Sequence, residues 1–258
     1  MELNKFIKLT DEEYFSAEGI NFSSLKNLYK SPLHYKYLLE NPVESTSAQV
    51  FGSAVHAYVF DPEEFDKSFF VYDGKLDKRT KEGKEIVEKA NGREIVNNDV
   101  LKCSFNVLEQ FIDYNSLIKE NAIFFEDADL LFKAKIDAYD PKEKIIYDLK
   151  TTSDITPQAF MRAIYNYKYY AQASHYIRAV EKTGNEVKAY RIIAVEKEAP
   201  FDVAIFELSP EYITLGYNEL DSLIDILKTS QTFNHWSGVA DDKIITVNVP
   251  SWALKGEN

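Results

Sequence analysis

The spacing of hydrophobic positions changes along this chain, from helical in the first third to strictly alternating near the middle, and then mixed. Residues 47–60 (SAQVFGSAVHAYVF) read as one apolar helix that ends before Asp61-Pro62, because proline disfavours helix at the residue before it. Its small Gly52, Ser53 and Ala54 would let another element approach closely. Ser23 is placed to cap a short helix through about Tyr29. Ser31-Pro32 marks a second start, with proline at the first helical position, where its missing N–H costs nothing. A further helix is predicted over about residues 99–119.

The pattern then shortens to a period of two. Residues 121–125, 130–139 and 144–151 read as strands, joined by turns at Glu126-Asp127-Ala128-Asp129 and Asp140-Pro141-Lys142-Glu143. Thr156-Pro157 opens a helix and another covers about 167–182; strands follow near 188–196 and 202–208, and a helix near 210–228. Such an order is α/β: a mixed β-sheet flanked by helices, with a helical N-terminal part. No repeat or flexible linker interrupts it. We read 1–258 as a single domain, helical over about 1–119, with the α/β core over about 120–258.

Alternation also sorts side chains by face. On the middle strand Lys133, Lys135, Asp137 and Tyr139 share one face, and on the next strand Ile146, Asp148 and Lys150 share one. If residues 141–144 form the loop, Asp140 pairs with Ile145 and Asp137 falls opposite Asp148. Directly opposed Cβ atoms lie roughly 4.5–5.5 Å apart. Two carboxylates at that distance repel, and a divalent cation between them removes the repulsion. With Asp127-Ala128 at the first tip, Glu120 falls opposite Lys135, diagonal to Asp137, whereas Glu126 stays at the turn. Glu120 is therefore the preferred third acid. Acid, acid and lysine suit phosphodiester hydrolysis: the carboxylates hold Mg²⁺ or Mn²⁺, and Lys150 positions water or stabilises the developing oxyanion.

Composition restricts the setting more than the chemistry. The 258 residues carry a net charge of −12, which argues against non-specific nucleic-acid binding by the whole surface but leaves room for a local groove. The single cysteine, Cys103, excludes an internal disulfide and a cysteine-built zinc or iron–sulfur site, so a reducing, cytoplasmic setting is expected. No leader pattern and no apolar run of membrane-spanning length is visible. Lys75, Lys78, Arg79, Lys81 and Lys84, interleaved with acids, read first as a solvated loop running into a helix, and second as a strand-guiding segment. Tyr165, Tyr167, Tyr169 and Tyr170 read mainly as packing, with Tyr169 the member to watch.

Taken together, these motifs resemble the PD-(D/E)XK nuclease superfamily, and within it the exonuclease VIII (RecE)-like nucleases of phages and prophages. FGSAVHAYVFDPEEF resembles that family's G-x-x-x-H helix, KAKIDAYD its second motif and IYDLKTT its D-x-K motif. YYAQASHY resembles the downstream Q-x-x-x-Y helix, with Gln172 and Tyr176 one turn apart. FSSLKNLYKSPLHYKYL, LDKRTKEGKEIVEKANGREIV, FDVAIFELSPEYITLGY and the terminal HW…VPSWA extend the likeness over nearly the whole chain.

The resemblance implies His56, Asp137, Asp148 and the Leu149 backbone carbonyl as metal ligands. It implies Asp137, Asp148, Lys150, Glu120, Gln172 and Tyr176 as catalytic residues. Alone, His56 on an apolar helix would read as packing, as His34, His175 and His235 do. The activity implied is Mg²⁺-dependent 5′-to-3′ exonuclease action on double-stranded DNA ends in phage-type recombination, within a bacterial host's cytoplasm. A single-strand annealing protein would be the partner. Relatives form rings around DNA, so a homo-oligomer is implied, with no membrane association. A flap or branch endonuclease, and an inactive DNA-binding subunit, are the alternatives. Ala134-Lys135-Ile136 departs mildly from the family, which often has Gly or Arg before the second motif's aspartate.

Overall fold

Capping side chains start the N-terminal helices of the computed structural model, which describes residues 2–74, 76–110, 116–241 and 243–249. Lys75, residues 111–115 of the predicted 99–119 helix, and residues 250–258, with most of VPSWA, lie outside the described residues. The first elements are β1 (Ile7–Lys8), α1 (Asp11–Ser16) and α2 (Phe22–Leu25), which runs into a 3₁₀ turn over Lys26–Tyr29. Then come α3 (Pro32–Glu40), α4 (Ser47–Phe60), α5 (Pro62–Ser68), β2 (Phe69–Val71), α6 (Lys81–Ala90), β3 (Glu94–Val96) and α7 (Asp99–Gln110). The rest comprises β4 (Ile118–Asp127), β5 (Leu130–Asp140), β6 (Ile145–Thr152), α8 (Pro157–Asn166), α9 (Tyr169–Lys182), β7 (Ala189–Glu196), β8 (Val203–Glu207) and α10 (Pro210–Thr232).

Local chemistry explains most boundaries. Thr46 and Gln49 form a reciprocal capping box at the start of α4. Asp61 closes α4 and also caps α5, its carboxylate accepting from the Glu64 N–H. Two expectations need correction. Ser23 lies inside α2 instead of capping it. The helix expected to reach 119 has given way by Ile118 to β4, whose pairing with β5 outweighs local helical spacing.

Six strands form one sheet in the order β1-β4-β5-β6-β7-β8, antiparallel throughout except for parallel β6 and β7. That parallel step needs a crossover, which α8 and α9 supply. β2 and β3 form a separate parallel pair. The short β1, β2 and β3 were not foreseen, because two or three residues cannot display an alternation.

The chain divides into two compact units, Met1–Phe22 with Val43–Ser222, and Ser23–Pro42 with Leu223–Asn258. The first holds the sheet, whose core includes Val55 and Val59 of α4, Cys103 and Val107 of α7, and Ala138, Leu149, Ile193 and Val195 of the strands. In the second, Tyr35 stacks on Trp236 with centroids 6.1 Å apart, and the Leu33 N–H donates to the Ser237 carbonyl at 3.0 Å. No helix among the described residues is long and apolar enough to cross a membrane.

The two hairpins that frame the site differ. In β5–β6 the pairs are Asp140↔Ile145, Tyr139↔Ile146 and Ala138↔Tyr147, the register expected from the sequence, and the ladder stops there, one step before Asp137 and Asp148. In β4–β5 the expected register was wrong by two. Asp127 pairs with Leu130, so the tip is Ala128-Asp129, both left-handed at φ 48° and 61° as a two-residue turn requires. Glu120 therefore lies across from Asp137, between the pairs Lys119↔Ala138 and Asn121↔Ile136, and not opposite Lys135. Side-chain parity survives a shift of two, so Glu120 keeps the face assigned to it.

Candidate active site

Where the β5–β6 ladder ends, a side chain takes over the bridging: the buried Leu149 N–H donates to Asp137 Oδ2 at 2.8 Å. The Leu149 carbonyl is used as well, facing His56 Nε2 at 2.7 Å. A carbonyl only accepts, so Nε2 carries the hydrogen and Nδ1 of a neutral ring presents its lone pair. Burial lowers the pKa of His56, with the Lys150 charge adding to it, which favours that neutral ring. Its Nδ1 lies 3.3 Å from Asp137 Oδ2.

Glu120 completes the cluster. One ligand atom from each of His56, Glu120 and Asp137 falls within 4.8 Å of the others. Glu120 also pairs with Lys135 at 2.8 Å, and Lys135 with Asp11. Its backbone is left-handed at φ 51°, uncommon for a residue other than glycine in a strand.

Asp148 is 1% exposed, and its two oxygens lie 2.6 and 2.7 Å from Lys150 Nζ. Burial works to lower the Lys150 pKa, but the charges of Asp148 and Asp137 outweigh it and the net shift is upward. Lys150 is thus a fixed cation. Asp137 moves the other way: burial first, then the Asp148 charge, push its carboxyl up to about 7. Burial likewise raises Glu120.

Gln172 and Tyr176 meet as the spacing implied, with Gln172 Nε2 donating to the Tyr176 hydroxyl at 2.9 Å. Burial, then the charges of Asp137 and Asp148, push the Tyr176 pKa far up, so its hydroxyl stays protonated near the carboxylates. His175, one position earlier, is turned away among Phe22, Phe125 and Phe132, with Nε2 3.0 Å from the Lys133 carbonyl.

The donors fit a divalent cation. The His56 lone pair and the Asp137 oxygen face each other with no hydrogen between them unless Asp137 is protonated. Among the described residues, Asp148 Oδ2 and the Tyr190 hydroxyl are the buried side-chain polar atoms without a well-formed hydrogen bond. Three carboxylates and an imidazole are hard or borderline ligands, suited to Mg²⁺ or Mn²⁺.

A profile described as a PDDEXK-like domain of unknown function (DUF3799) matches residues 21–242. The chain belongs to this family. A crystal structure described as that of a "putative exonuclease" from Eubacterium rectale superposes on this PDDEXK-like chain with a TM-score of 0.64 and 17% identity, covering 98% of it and 100% of the other. At that identity the match establishes the fold, which is that of PD-(D/E)XK nucleases. A phage-related exonuclease from Haemophilus somnus gives a TM-score of 0.39 and 13% identity over 86% of this chain and 99% of its own. No curated protein matches the sequence.

Sequence reasoning missed one neighbour of the PDDEXK-like site. Tyr190 pairs with Ile146 across the parallel β6–β7 step, and Asp148 with Ile192 two residues on, so Tyr190 shares the Asp148 face. Burial, then the Asp148 charge, push its pKa far up. No sequence spacing could reveal it, because β6 and β7 are joined through two helices whose geometry sets the register.

Proposed function

We propose that the chain is a metal-dependent deoxyribonuclease that hydrolyses phosphodiester bonds at duplex DNA ends. The observation that carries this reading is the convergence of one ligand atom each from His56, Glu120 and Asp137 within 4.8 Å, beside a buried Asp148–Lys150 pair. His56, Glu120, Asp137, Asp148 and the Leu149 carbonyl would hold Mg²⁺ or Mn²⁺. A cation there supplies Lewis acidity and positive charge opposite the anionic transition state.

The remaining roles belong to the chain's own residues. Lys150, held as a cation by Asp148, points its ammonium at the attacking water or the phosphoryl oxygens that gain charge. Water adds to phosphorus and gives up a proton to solvent, the bond to the leaving oxygen breaks, and that oxygen takes a proton from solvent. The Gln172–Tyr176 pair keeps a protonated hydroxyl near the carboxylates, where it orients Lys150 or the phosphate. The −12 net charge is compatible with this work, since the acids at the centre are themselves part of it.

Action at ends is favoured over branch cutting by the exonuclease description of the Eubacterium rectale relative. The 5′-to-3′ direction, a role in phage-type recombination beside a single-strand annealing protein, a ring-shaped homo-oligomer and a bacterial cytoplasmic setting are proposed from the RecE-like resemblance of the motifs. The test is digestion of linear and covalently closed duplex DNA, with Mg²⁺, Mn²⁺ or EDTA, beside Asp148→Ala. Metal-dependent loss of the linear form alone, absent in the variant, is the expected result. Cutting of closed circles would move the assignment to an endonuclease. Absence of cleavage under every condition would overturn it.

A further inference from the structure

A file of aromatic rings beside Lys150 has no part in the chemistry above. Tyr169 opens α9 with its ring face toward Lys150, whose Nζ lies 5.1 Å from the ring centroid. Behind it stands the fully buried Phe160, centroids 6.5 Å apart. In front stands Tyr167, stacked on Tyr169 at 5.6 Å and 27°. Tyr167 is 65% exposed. The three rings thus lead from the core to solvent and pass the lysine of the site on the way. Packing accounts for Phe160 and Tyr169, but it leaves most of the Tyr167 ring in water.

The turn that carries the two tyrosines is fixed from below. Lys168, between them, is left-handed at φ 61°, and its ammonium lies 2.8 Å from the Tyr170 hydroxyl and 3.3 Å from Glu219. A ring held this way offers a flat apolar face at little further cost in conformational entropy.

We infer that Tyr167 and Tyr169 form a stacking subsite for an unpaired nucleobase of the strand being cut, next to the phosphate at Lys150. This rests on the nuclease reading above and adds the state of the bound strand. A base inside a duplex has both faces covered by its neighbours, so only a terminal, frayed or single-stranded base has a face to give. Stacking on tyrosine tolerates any base, because every base has a π face. The subsite therefore selects for strand ends without reading sequence.

Steady-state kinetics on linear duplexes test this, using intact DNA and DNA with one abasic residue stepped through the first positions from the end. Alanine removal of a stacking ring weakens binding roughly 10-fold. Tyr167→Ala should raise KM by about that factor on intact DNA, with kcat much less affected, while Tyr167→Trp retains the wild-type value. For the wild type, one abasic position should impose the same penalty. Tyr167→Ala should show no added penalty there, since ring and base act on each other. The exposed position makes an unchanged melting curve the check on folding. Equal KM for Tyr167→Ala and wild type, or an equal abasic penalty in both, would overturn the subsite while wild-type cleavage leaves the nuclease reading standing. A wild type that cuts no DNA with any metal would remove the nuclease reading, and the subsite with it.

Discussion

Two charged clusters lie four residues apart on β5, and they treat burial in opposite ways. Lys133 is 3% exposed, yet its ammonium donates to the carbonyls of Ala17 at 2.6 Å, Tyr14 at 2.8 Å and Phe15 at 3.4 Å, and rests over the Tyr14 ring. Its donors are all used. At Asp137 the set is less complete: the Leu149 N–H satisfies one oxygen and Lys150 holds Asp148, yet burial and the Asp148 charge push the Asp137 carboxyl up to about 7 and a histidine lone pair faces it. A buried charge with a full set of partners serves the fold. A buried cluster of acids beside an imidazole works against the fold, and the divalent cation proposed above would offset that repulsion.

Charge removal at Asp137 gives the sharpest separation of the two. Asp137→Asn keeps an oxygen for the Leu149 N–H but removes one of the proposed metal ligands, so cleavage should fall to background. In EDTA the variant should melt no lower than wild type, and roughly 2–4 °C higher at neutral pH. The sign follows from linkage. Asp137 holds its proton to about pH 7 when folded, but releases it near 3.8 when unfolded. The metal-free wild type therefore loses stability as pH rises from 3.8 to 7, and the uncharged variant does not. A variant that melts far below wild type would make Asp137 a structural residue like Lys133.

Lys150→Ala should lower kcat by about 10²–10³-fold, the scale of losing one transition-state donor. Calorimetric titration with Mn²⁺ should find its metal affinity within a few-fold of wild type. A lost affinity with normal turnover would reverse the roles.

Lys133→Ala should do the reverse of both. Unpaired carbonyls cost about 1–3 kcal/mol each, so melting should drop by roughly 5–10 °C, while activity per folded molecule at low temperature stays unchanged. Loss of turnover without loss of stability would join the two clusters into one site.

The smallest effect belongs to His175, whose Nε2 donates to the Lys133 carbonyl and whose pKa burial lowers to about 4. Its folded pKa lies below the unfolded value of 6.5, so the unfolded chain takes the proton first and stability is lost as pH falls from 6.5 toward 4. His175→Gln should flatten that part of the melting profile. An unchanged slope would show that other groups carry it.

The long elements and the β5–β6 register as far as Ala138↔Tyr147 were legible because alternation, capping residues and one loop length determine them locally. Asp140-Pro141-Lys142-Glu143 gave the β5–β6 register directly. The first hairpin was misread by two residues, since Ala128 is an unusual choice for a left-handed turn position and conceals the tip. The correction brought Glu120 closer to Asp137 and left its face unchanged. Tyr190 and the Tyr167–Tyr169 stack were out of reach, because both depend on how α8 and α9 return the chain to the sheet.

Glu120 carries one more consequence, which concerns how such a chain drifts. A left-handed backbone costs a residue with a β-carbon about 1–2 kcal/mol, and glycine escapes it. Glycine at 120 would also remove a buried acid, so selection for thermal stability alone should replace this glutamate early. Its persistence across descendants would then record that the site is still in use, and its loss would mark lineages that had stopped cutting.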